Sequence, residues 1–378
     1  MDNNYCPYIY KSIKLVAHSR GKARVSACCE QQSKIVKQYD DIQVFFDELR
    51  DQFKRGEKPD SCIRCWTSEK TGIESKRQKG IRKSLFKKND GIVLADLEFS
   101  NKCNLACVTC NSIKSSLWQK QPKFNDKYAR IGRDGNYVFD RKIEDAGIVM
   151  KYYNENKHTI KRLEFAGGEP TLHDQFLKLY NETDESVEIT FTTNTTTNFD
   201  KLLNNRSNIK CILSIDGLRD EYEYIRWPGK WKNTTNKLSN IVDRNKIQEV
   251  NTVLQIFNIL SIAEMSNYFE DYTYKLIWYV VGKRYLDIVF HPLYFIDQCI
   301  NSLLLKSNKN NEHLLTVMKS KRREWFTIKD DERKAMQKKF IEYVDYLETN
   351  RNISYKKLNN EIVNYIDNLK TEFKIDSI

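Results

Sequence analysis

The cysteines of this chain are the residues whose type and spacing best suit metal chemistry. Three of them lie on one short loop, at Cys103, Cys107 and Cys110, after a strand-like segment at 92–99. Thiolates are the usual protein ligands of iron–sulfur clusters, which generally take four of them. Three thiolates can hold three irons of a 4Fe-4S cube and leave the fourth iron open, and an open metal position is where a substrate or cofactor binds. Half of a zinc site is the alternative for such a loop.

A second group of cysteines lies near the start of the chain. Its members are Cys6, Cys28, Cys29, Cys62 and Cys65. Cys62 and Cys65, separated by two residues, form a knuckle of the kind that clamps one metal or one edge of a cluster. Segments 9–17 and 22–27 predict a hairpin, and the apolar spacing over 41–53 predicts a helix. So small a module needs a metal to hold it together.

Between residues 92 and 292, strand-like apolar segments alternate with helical ones. Strands are predicted at 92–99, 160–166, 187–193, 209–215, 252–258 and 285–291. Helices are predicted at 112–121, 140–157, 172–180, 199–206, 231–246 and 261–277. Six such units favour parallel strands joined by crossover helices. In β/α folds of this kind, functional groups gather at the carboxyl ends of the strands.

Polar motifs follow three of these strands where each one ends. After the second strand come Gly167, Gly168 and Glu169. The paired glycines let the backbone approach a ligand closely and leave N–H groups as donors. Taken alone, such a segment is more often a plain turn.

The third predicted strand ends in Thr193 and Asn194, and the fourth ends in Ser214 and Asp216. Ser214 and Asp216 alternate along the strand, so their side chains point the same way. The alternative is that these polar residues satisfy their own turns. Farther on, Arg226 is a candidate to bind a carboxylate, because a guanidinium group binds carboxylates bidentately. A surface arginine in a packed aromatic loop is the equal alternative.

The cysteine loop, the Gly-Gly-Glu-Pro segment about sixty residues later and the Ser-Ile-Asp-Gly segment together resemble the radical S-adenosylmethionine (SAM) superfamily. In that family the open iron chelates SAM, and an electron from the cluster cleaves it to a 5′-deoxyadenosyl radical. The cofactor-binding residues that the resemblance implies are Gly167, Gly168, Glu169, Thr193, Asn194, Ser214 and Asp216. The glycines and Glu169 would bind the amino group of SAM, and Ser214 and Asp216 its ribose or carboxylate. One departure is Thr109, where relatives often carry an aromatic residue that packs against adenine.

The N-terminal segment resembles that of twitch-domain members of the same superfamily. The resemblance is carried by Cys6-Pro7-Tyr8-Ile9, Cys28-Cys29, Gly56-Glu57-Lys58-Pro59, the Cys62 to Cys65 knuckle, and Glu69, Gly72, Ser75 and Arg77. In relatives the twitch domain, a shortened SPASM domain, holds one auxiliary iron–sulfur cluster. The implied ligands are Cys6, Cys28 or Cys29, Cys62 and Cys65, with one of the adjacent pair spare. A structural zinc at the same thiols is the alternative.

The predicted fold class is therefore α/β, a partial (β/α)6 TIM-like barrel with a small N-terminal cysteine-rich module and a C-terminal helical tail. The predicted domains are 1–80 for the twitch-like module, 88–300 for the barrel and 301–378 for the tail. Two apolar stripes in the tail predict helices that cover the open edge of the barrel or contact a substrate protein. The first stripe is Met336, Phe340, Tyr343 and Leu347, and the second is Ile362, Ile366, Leu369 and Phe373.

Composition excludes few functions. Hydrophobic residues make up 40% of the 378 residues and aromatic residues 12%, as in globular proteins. The formal charge of +12 favours polyanions, but lysines are mixed with acidic residues, so nucleic acid is an alternative partner only. The first eleven residues lack the pattern of a secretory signal, and the apolar run 276–281 is too short to span a membrane. We therefore expect a cytoplasmic protein with reduced thiols.

The sequence predicts a radical SAM enzyme with an auxiliary cluster and an electron donor such as flavodoxin or ferredoxin. Because twitch and SPASM relatives often act on peptides or proteins, a peptide or protein substrate is expected. A nucleotide or RNA substrate is one alternative, and a zinc-stabilised nucleic-acid-binding protein without enzymatic activity is another. Gln255, Asn258 and His291 are pocket candidates of unknown role, and Cys211 and Cys299 are expected in the core.

Overall fold

The computed structural model describes residues 4–18, 21–70, 72, 74–87, 91–121, 146–277, 283–306 and 308–374. The chain divides into two compact units. The first unit comprises residues 1–102, 140–192 and 206–210, and the second comprises residues 103–139, 193–205 and 211–378. The beginning of the helix predicted at 140–157 lies outside the described residues.

The strands of the described residues are numbered in chain order. They are β1 (Ser12–Ala17), β2 (Ala23–Ser26), β3 (Lys34–Val36), β4 (Leu94–Glu98), β5 (Arg162–Phe165), β6 (Glu188–Thr193), β7 (Ile209–Ser214), β8 (Ile247–Val253) and β9 (Tyr274–Ile277). In the first unit, β1 and β2 form the predicted hairpin, and β3 adds to it antiparallel. On its other side β1 pairs parallel with β4, and β5 and β6 follow in parallel. The N-terminal hairpin thus extends the sheet that contains the strand before the cysteine loop.

All five residues of β4 are buried, as expected for a parallel strand that is covered on both faces. In the second unit, β7, β8 and β9 pair in parallel. Buried and partly exposed residues alternate along β7, so one of its faces is covered more fully than the other. The α/β class and the parallel strand pairing predicted from the sequence are confirmed.

The helices of the described residues are also numbered in chain order. They are α1 (Tyr8–Lys11), α2 (Asp41–Lys54), α3 (Ile63–Lys70), α4 (Lys76–Arg82), α5 (Ser84–Lys87), α6 (Ser116–Gln119), α7 (Gly147–Asn156), α8 (Asp174–Glu182), α9 (Phe199–Asn204), α10 (Arg219–Ile225), α11 (Trp231–Ser239), α12 (Ile262–Tyr268), α13 (Leu293–Leu304), α14 (Asn311–Trp325), α15 (Asp330–Arg351) and α16 (Asn360–Phe373). Within the described ranges, none of them has the length and apolar character needed to cross a membrane.

The helical C-terminal region is confirmed by α14, α15 and α16. Phe340 and Tyr343 of the predicted stripe are fully buried on α15, and Ile362 and Ile366 of the second stripe are fully buried on α16. Both helices therefore bury an apolar face within the second unit, as the helical spacing predicts.

The sixth strand was predicted wrongly. Residues 285–291 form parts of two short 3₁₀ helices, Arg284–Leu286 and Ile288–Phe290, and the strand is β9, inside a segment predicted as helix. The apolar residues of the mispredicted segment are almost completely buried. A short run that is buried on all sides shows no period that separates a strand from another structure. The fifth strand, β8, lies earlier than its predicted range of 252–258.

Candidate active site

The cysteine loop, residues 103–110, belongs to the second unit, and its three cysteines are half-buried. Between them, Leu105, Ala106 and Val108 are buried. The backbone N–H of Ala106 donates to the carbonyl of Trp227 over 2.8 Å, and that of Val108 donates to the carbonyl of Ile225 over 2.8 Å. The loop is therefore fixed along one side by the segment that ends α10.

The carbonyls of the same loop are fixed by side chains from distant parts of the chain. Trp118 Nε1 donates to the carbonyl of Cys107 over 2.9 Å. Lys283 Nζ and the Tyr343 hydroxyl each donate to the carbonyl of Val108 over 2.7 Å. With donors and acceptors satisfied on both sides, the loop holds its thiols in place before any cofactor binds.

A buried ion pair lies close to the loop. Asp216 is fully buried, and one of its oxygens lies 2.9 Å from Arg226 Nη2. Its other oxygen accepts the N–H of Val253 over 2.7 Å, and its carbonyl accepts from Asn258 Nδ2 over 2.9 Å. The structure thus gives Arg226 an internal carboxylate, where the sequence nominated a carboxylate of the cofactor or substrate.

Positive charge acts on the cysteine thiols. Burial raises the pKa of the Cys107 thiol to about 11, while Arg226 and Arg351 lower it. Burial and the neighbouring Cys107 raise the pKa of Cys110 to about 11, while Lys283 lowers it. Three cysteines with buried cations nearby fit an anionic group such as a thiolate-bound cluster, because negative charge buried there finds compensation.

The polar residues at the strand ends have different surroundings. Asn194 is buried, and its Nδ2 donates to Asn104 Oδ1 over 2.9 Å and lies 3.6 Å from Cys103 Sγ. Thr193 Oγ1 accepts the N–H of Thr195 over 3.1 Å, so it supports the turn after β6. Ser214 is half-buried at the end of β7. Of these residues, the structure places Asn194 directly against a cysteine of the loop.

The Gly-Gly-Glu segment belongs to the first unit and follows β5. Gly167 and Gly168 have φ angles of +83° and +55°. A Cβ atom on Gly167 would overlap the side chain of Glu98, and one on Gly168 would overlap the carbonyl of Lys102. These positions therefore accept only glycine.

The same carbonyl of Lys102, directly before Cys103, accepts the N–H of Glu169 over 2.9 Å. His173 Nε2 lies 3.1 Å from it and completes its hydrogen bonding. The Glu169 carboxylate is buried and accepts from Thr171 Oγ1 over 2.7 Å. His173 was not predicted from the sequence because it belongs to no motif. Its position three residues after Pro170 is the only sequence signal for it.

Four of the N-terminal cysteines line one pocket of the first unit, which encloses about 370 Å³ including its open mouth. They are Cys6, Cys28, Cys62 and Cys65. Cys29 is instead exposed, and its Sγ accepts from Lys76 Nζ over 2.9 Å. The adjacent cysteines thus point to different surroundings.

The thiols of this pocket lie close enough to affect one another's pKa. Burial, together with a smaller effect of the nearby Cys62 and Cys65, raises the pKa of Cys6 to about 12. Behind the thiols, Arg77 forms a 2.7 Å ion pair with Glu69. Arg77, which lines this pocket, is thus held by Glu69, and both residues were singled out from the sequence.

Among the described residues, no group of three or more His, Cys, Asp or Glu side chains is spaced to share a single metal ion. A single zinc ion needs its sulfur ligands about 2.3 Å from one point. A cubic cluster spreads its thiolates over separate irons. Thiols that are too far apart to share one zinc ion can therefore still bind a cubic cluster.

The remaining candidates have structural partners. His291 is buried, with Nδ1 at 2.9 Å from the Tyr365 hydroxyl and Nε2 at 2.9 Å from the carbonyl of Tyr285. Gln255 is the exception: it is fully buried, and both polar atoms of its side chain lack a hydrogen-bond partner among the described residues. Cys211 and Cys299 are buried in the core, as predicted.

Residues 97–260 match the family model of the Radical SAM superfamily. No curated protein sequence is significantly similar to the chain. The match begins in β4, contains the cysteine loop, and ends just before α12. It therefore includes every barrel motif that the sequence analysis singled out.

Partly similar solved structures include anSMEcpe with bound AdoMet, SuiB from Streptococcus suis, and TYW1 with a lysine-pyruvate adduct bound. Their sequence identities are 16%, 12% and 17%, and their TM-scores are 0.38, 0.39 and 0.31. The similarity covers 56%, 79% and 57% of this chain and 59%, 69% and 72% of those chains, so this chain spans about three fifths of anSMEcpe. The family match, with the three-cysteine loop inside it, identifies residues 97–260 as a domain of the Radical SAM superfamily.

Proposed function

We propose that this chain binds a 4Fe-4S cluster on Cys103, Cys107 and Cys110, with SAM at the open iron. Bound there, the cluster supplies the electron that cleaves SAM to a 5′-deoxyadenosyl radical, and the radical abstracts hydrogen from a substrate. The observation that carries this proposal is the cysteine loop itself. It presents three half-buried cysteines on a backbone that is hydrogen-bonded on both sides.

In this proposal the residues of the chain orient the cofactors and exclude water. Asn194 donates toward the sulfur of Cys103, and hydrogen bonds to ligand sulfurs are one way in which a protein tunes a cluster. Asp216 acts by holding Arg226 near Cys107 and thus has a positioning role. Ser214 and Thr193 remain the candidates to contact SAM directly at the ends of β7 and β6.

Gly167, Gly168 and Glu169 are proposed to bind the amino group of SAM. Their support is local. The positive φ angles of the two glycines turn the backbone over the carbonyl of Lys102, and the buried Glu169 carboxylate is already oriented by Thr171. A carboxylate that is fixed before its ligand arrives loses little entropy on binding an ammonium group.

We further propose that Cys6, Cys28, Cys62 and Cys65 hold an auxiliary iron–sulfur cluster. Four thiols that line one pocket match the ligand number that such clusters generally need. Cys29 would be the spare member of the adjacent pair, because it is exposed and bonded to Lys76. This choice between Cys28 and Cys29 was left open by the sequence.

For the substrate we propose a peptide or protein, supported by the resemblance of the N-terminal segment to twitch-domain relatives. A soluble electron carrier of the flavodoxin or ferredoxin type would deliver the electron. Incubation with libraries of deuterated peptides tests the substrate class, since abstraction from a bound peptide transfers its deuterium to 5′-deoxyadenosine. Transfer from RNA oligonucleotides and not from peptides would favour the alternative substrate.

The decisive test is anaerobic reconstitution followed by iron analysis and measurement of 5′-deoxyadenosine. The wild-type chain is expected to bind about eight irons and to release 5′-deoxyadenosine when reduced. Cys107→Ala should abolish this release and keep about four irons, because the N-terminal pocket is intact. Cys299→Ala, which removes a buried thiol outside both cysteine groups, is the matched control and should behave like the wild type.

Two results would contradict the proposal. Zinc at both sites without iron would favour a zinc-stabilised binding protein. Release of 5′-deoxyadenosine by the Cys107 variant would show that SAM is cleaved elsewhere in the chain.

A further inference from the structure

Arg351, the last residue of α15, is a buried cation without a hydrogen-bond acceptor among the described residues. Its side chain is 3% exposed, and none of its three guanidinium nitrogens has a hydrogen-bond partner in the described part of the chain. No carboxylate there forms an ion pair with it. A buried guanidinium without a partner is costly, so a folded protein that retains one needs a source of compensation.

Part of the compensation comes from two indole rings. The guanidinium carbon lies 4.3 Å from the centre of the Trp118 ring and 5.2 Å from the centre of the Trp227 ring. Both tryptophans are attached to the cysteine loop, because Trp118 donates to the carbonyl of Cys107 and Trp227 accepts from Ala106. Arg351 therefore lies behind the loop and within electrostatic reach of Cys107.

The guanidinium also differs from the other arginine near the loop. Arg226 is paired with Asp216 at 2.9 Å, whereas Arg351 has no hydrogen-bond acceptor among the described residues, and burial lowers its pKa from the ordinary arginine value. Its nitrogens expose almost no surface, which leaves no room for a carboxylate of a cofactor or substrate to bind them directly. The charge must therefore act across the loop through the low-dielectric interior, where screening is weak.

We propose that Arg351 is a built-in counter-charge for the cluster on Cys103, Cys107 and Cys110 and raises its reduction potential. The inference rests on the proposed function, because it assumes a cluster at these thiols. A cluster gains one negative charge when it is reduced, so a fixed positive charge nearby stabilises the reduced form more than the oxidised one. Net charge and burial are among the factors that set such potentials.

The test is a potentiometric titration of the cluster in the reconstituted full-length chain, followed by electron paramagnetic resonance. Arg351→Met removes the charge and keeps an unbranched side chain between the two rings. We expect the ratio of reduced to oxidised cluster at a fixed potential to fall at least tenfold, which corresponds to about 59 mV for a one-electron couple. Arg351→Lys keeps the charge and should keep most of the wild-type potential.

Arg333→Met is the matched control. Arg333 also stacks on a tryptophan, at 3.8 Å from the ring centre of Trp325, and donates to the carbonyl of Val289. Arg333→Met thus removes a cation and a ring contact like those of Arg351. The partners of Arg333, Trp325 and Val289, are not the residues that hold the cysteine loop. The cluster potential of this variant should equal that of the wild type.

A purely structural role for Arg351 predicts a different set of results. The cluster-free Arg351→Met chain should then unfold at a lower temperature, and the potential of its cluster should not change. If Arg351 is a counter-charge, the cluster-free variant should be at least as stable as the wild type, because an uncompensated buried charge has been removed. An unchanged potential in Arg351→Met therefore overturns the inference while leaving the proposed function intact.

If Arg351→Met loses the cluster, the Arg351→Lys variant decides between the two roles. Retention of a cluster with the wild-type potential in the lysine variant supports the counter-charge, and loss of the cluster there as well assigns Arg351 to packing. A wild-type chain that binds no cluster at Cys103, Cys107 and Cys110 overturns both the proposed function and this inference.

Discussion

Gly168 shows how much of the site depends on the absence of one methyl group. Its φ of +55° is a left-handed conformation, and a Cβ atom there would overlap the carbonyl of Lys102, the residue before Cys103. Gly72 has a similar φ of +77°, but none of the described residues lies within 4 Å of the Cβ position. Substitutions at these two glycines therefore distinguish the effect of backbone strain from that of a steric collision.

We predict that Gly72→Ala costs about 1–2 kcal/mol of stability, the strain of a left-handed alanine, and leaves SAM binding unchanged. Gly168→Ala adds the collision and must displace the backbone before the cysteine loop, so SAM binding should weaken at least tenfold, or about 1.4 kcal/mol. Equilibrium dialysis with labelled SAM and thermal unfolding measure the two effects. Equal losses of SAM affinity in both variants would mean that the collision has no role.

The adjacent cysteines give a second prediction at this scale. Cys28 lines the N-terminal pocket, and Cys29 is exposed beside Lys76. Cys28→Ala should therefore lose about four irons on reconstitution, because a cubic cluster needs its fourth thiolate, and Cys29→Ala should lose none. Iron and sulfide analysis of both variants in a Cys107→Ala background isolates the auxiliary cluster. The opposite result would make Cys29 the ligand.

At the scale of elements, the C-terminal helices do more than cover an edge of the fold. Tyr343 and Arg351 on α15 lie beneath the cysteine loop, and Tyr343 donates to Val108 together with Lys283. The sequence predicted these helices from their apolar stripes, which are local features. It could not predict the contacts, since Lys283 and Tyr343 are 175 and 235 residues from Val108.

The difference between local features and contacts of distant residues also explains which strands of the sheet could be predicted from the sequence. Strands with flanking turn signals, such as β4 to β7, were found close to their observed positions. The segment 285–291 was mistaken for a strand because its hydrophobicity reflects burial on all sides. There the side chain of Asp287 accepts the N–H of Val289 over 3.3 Å and favours a helical turn. The candidate ligands could be predicted because cysteine spacing is itself the signal, whereas Arg351 belongs to no spacing pattern.

His291 joins these elements and gives a prediction about pH. It lies between the second 3₁₀ helix and α13, contacts Tyr365 of α16, and its carbonyl accepts from Trp325 of α14 over 2.7 Å. Burial lowers the pKa of His291 from 6.5 to about 3. The unfolded chain therefore binds a proton below pH 6.5 that the folded chain does not, and stability falls as the pH decreases from about 6.5 toward about 3.

Between about pH 7.5 and about pH 5.5, this residue alone should cost the folded state about 1.4 kcal/mol. Urea unfolding of the cluster-free chain at both pH values measures the loss. His291→Gln keeps hydrogen-bonding groups at the position but cannot titrate, so its loss over the same interval should be smaller by about this amount. A variant with the wild-type pH dependence would show that His291 is already protonated in the folded chain.

At the scale of the whole molecule, the formal charge of +12 bears on how electrons would reach the proposed clusters. Lysines and arginines outnumber acidic residues by 63 to 51, so the long-range field of the chain attracts anions even though both signs are mixed on the surface. Steering by such a field increases the association rate more than the final affinity. The charge therefore increases the association rate of an acidic protein electron donor and does not increase that of a cationic donor.

We predict that the rate of reduction by an acidic flavodoxin-type donor falls steeply as salt increases from about 0.05 M to about 0.5 M, because the Debye length shrinks well below 10 Å. A cationic viologen supplies the matched control, since screening removes repulsion and its rate should stay constant or rise. Stopped-flow absorbance of the reconstituted chain follows both reactions. If the two donors respond to salt in the same direction, the net charge does not guide the encounter, and the lysine-rich surface then serves only to keep the protein solvated.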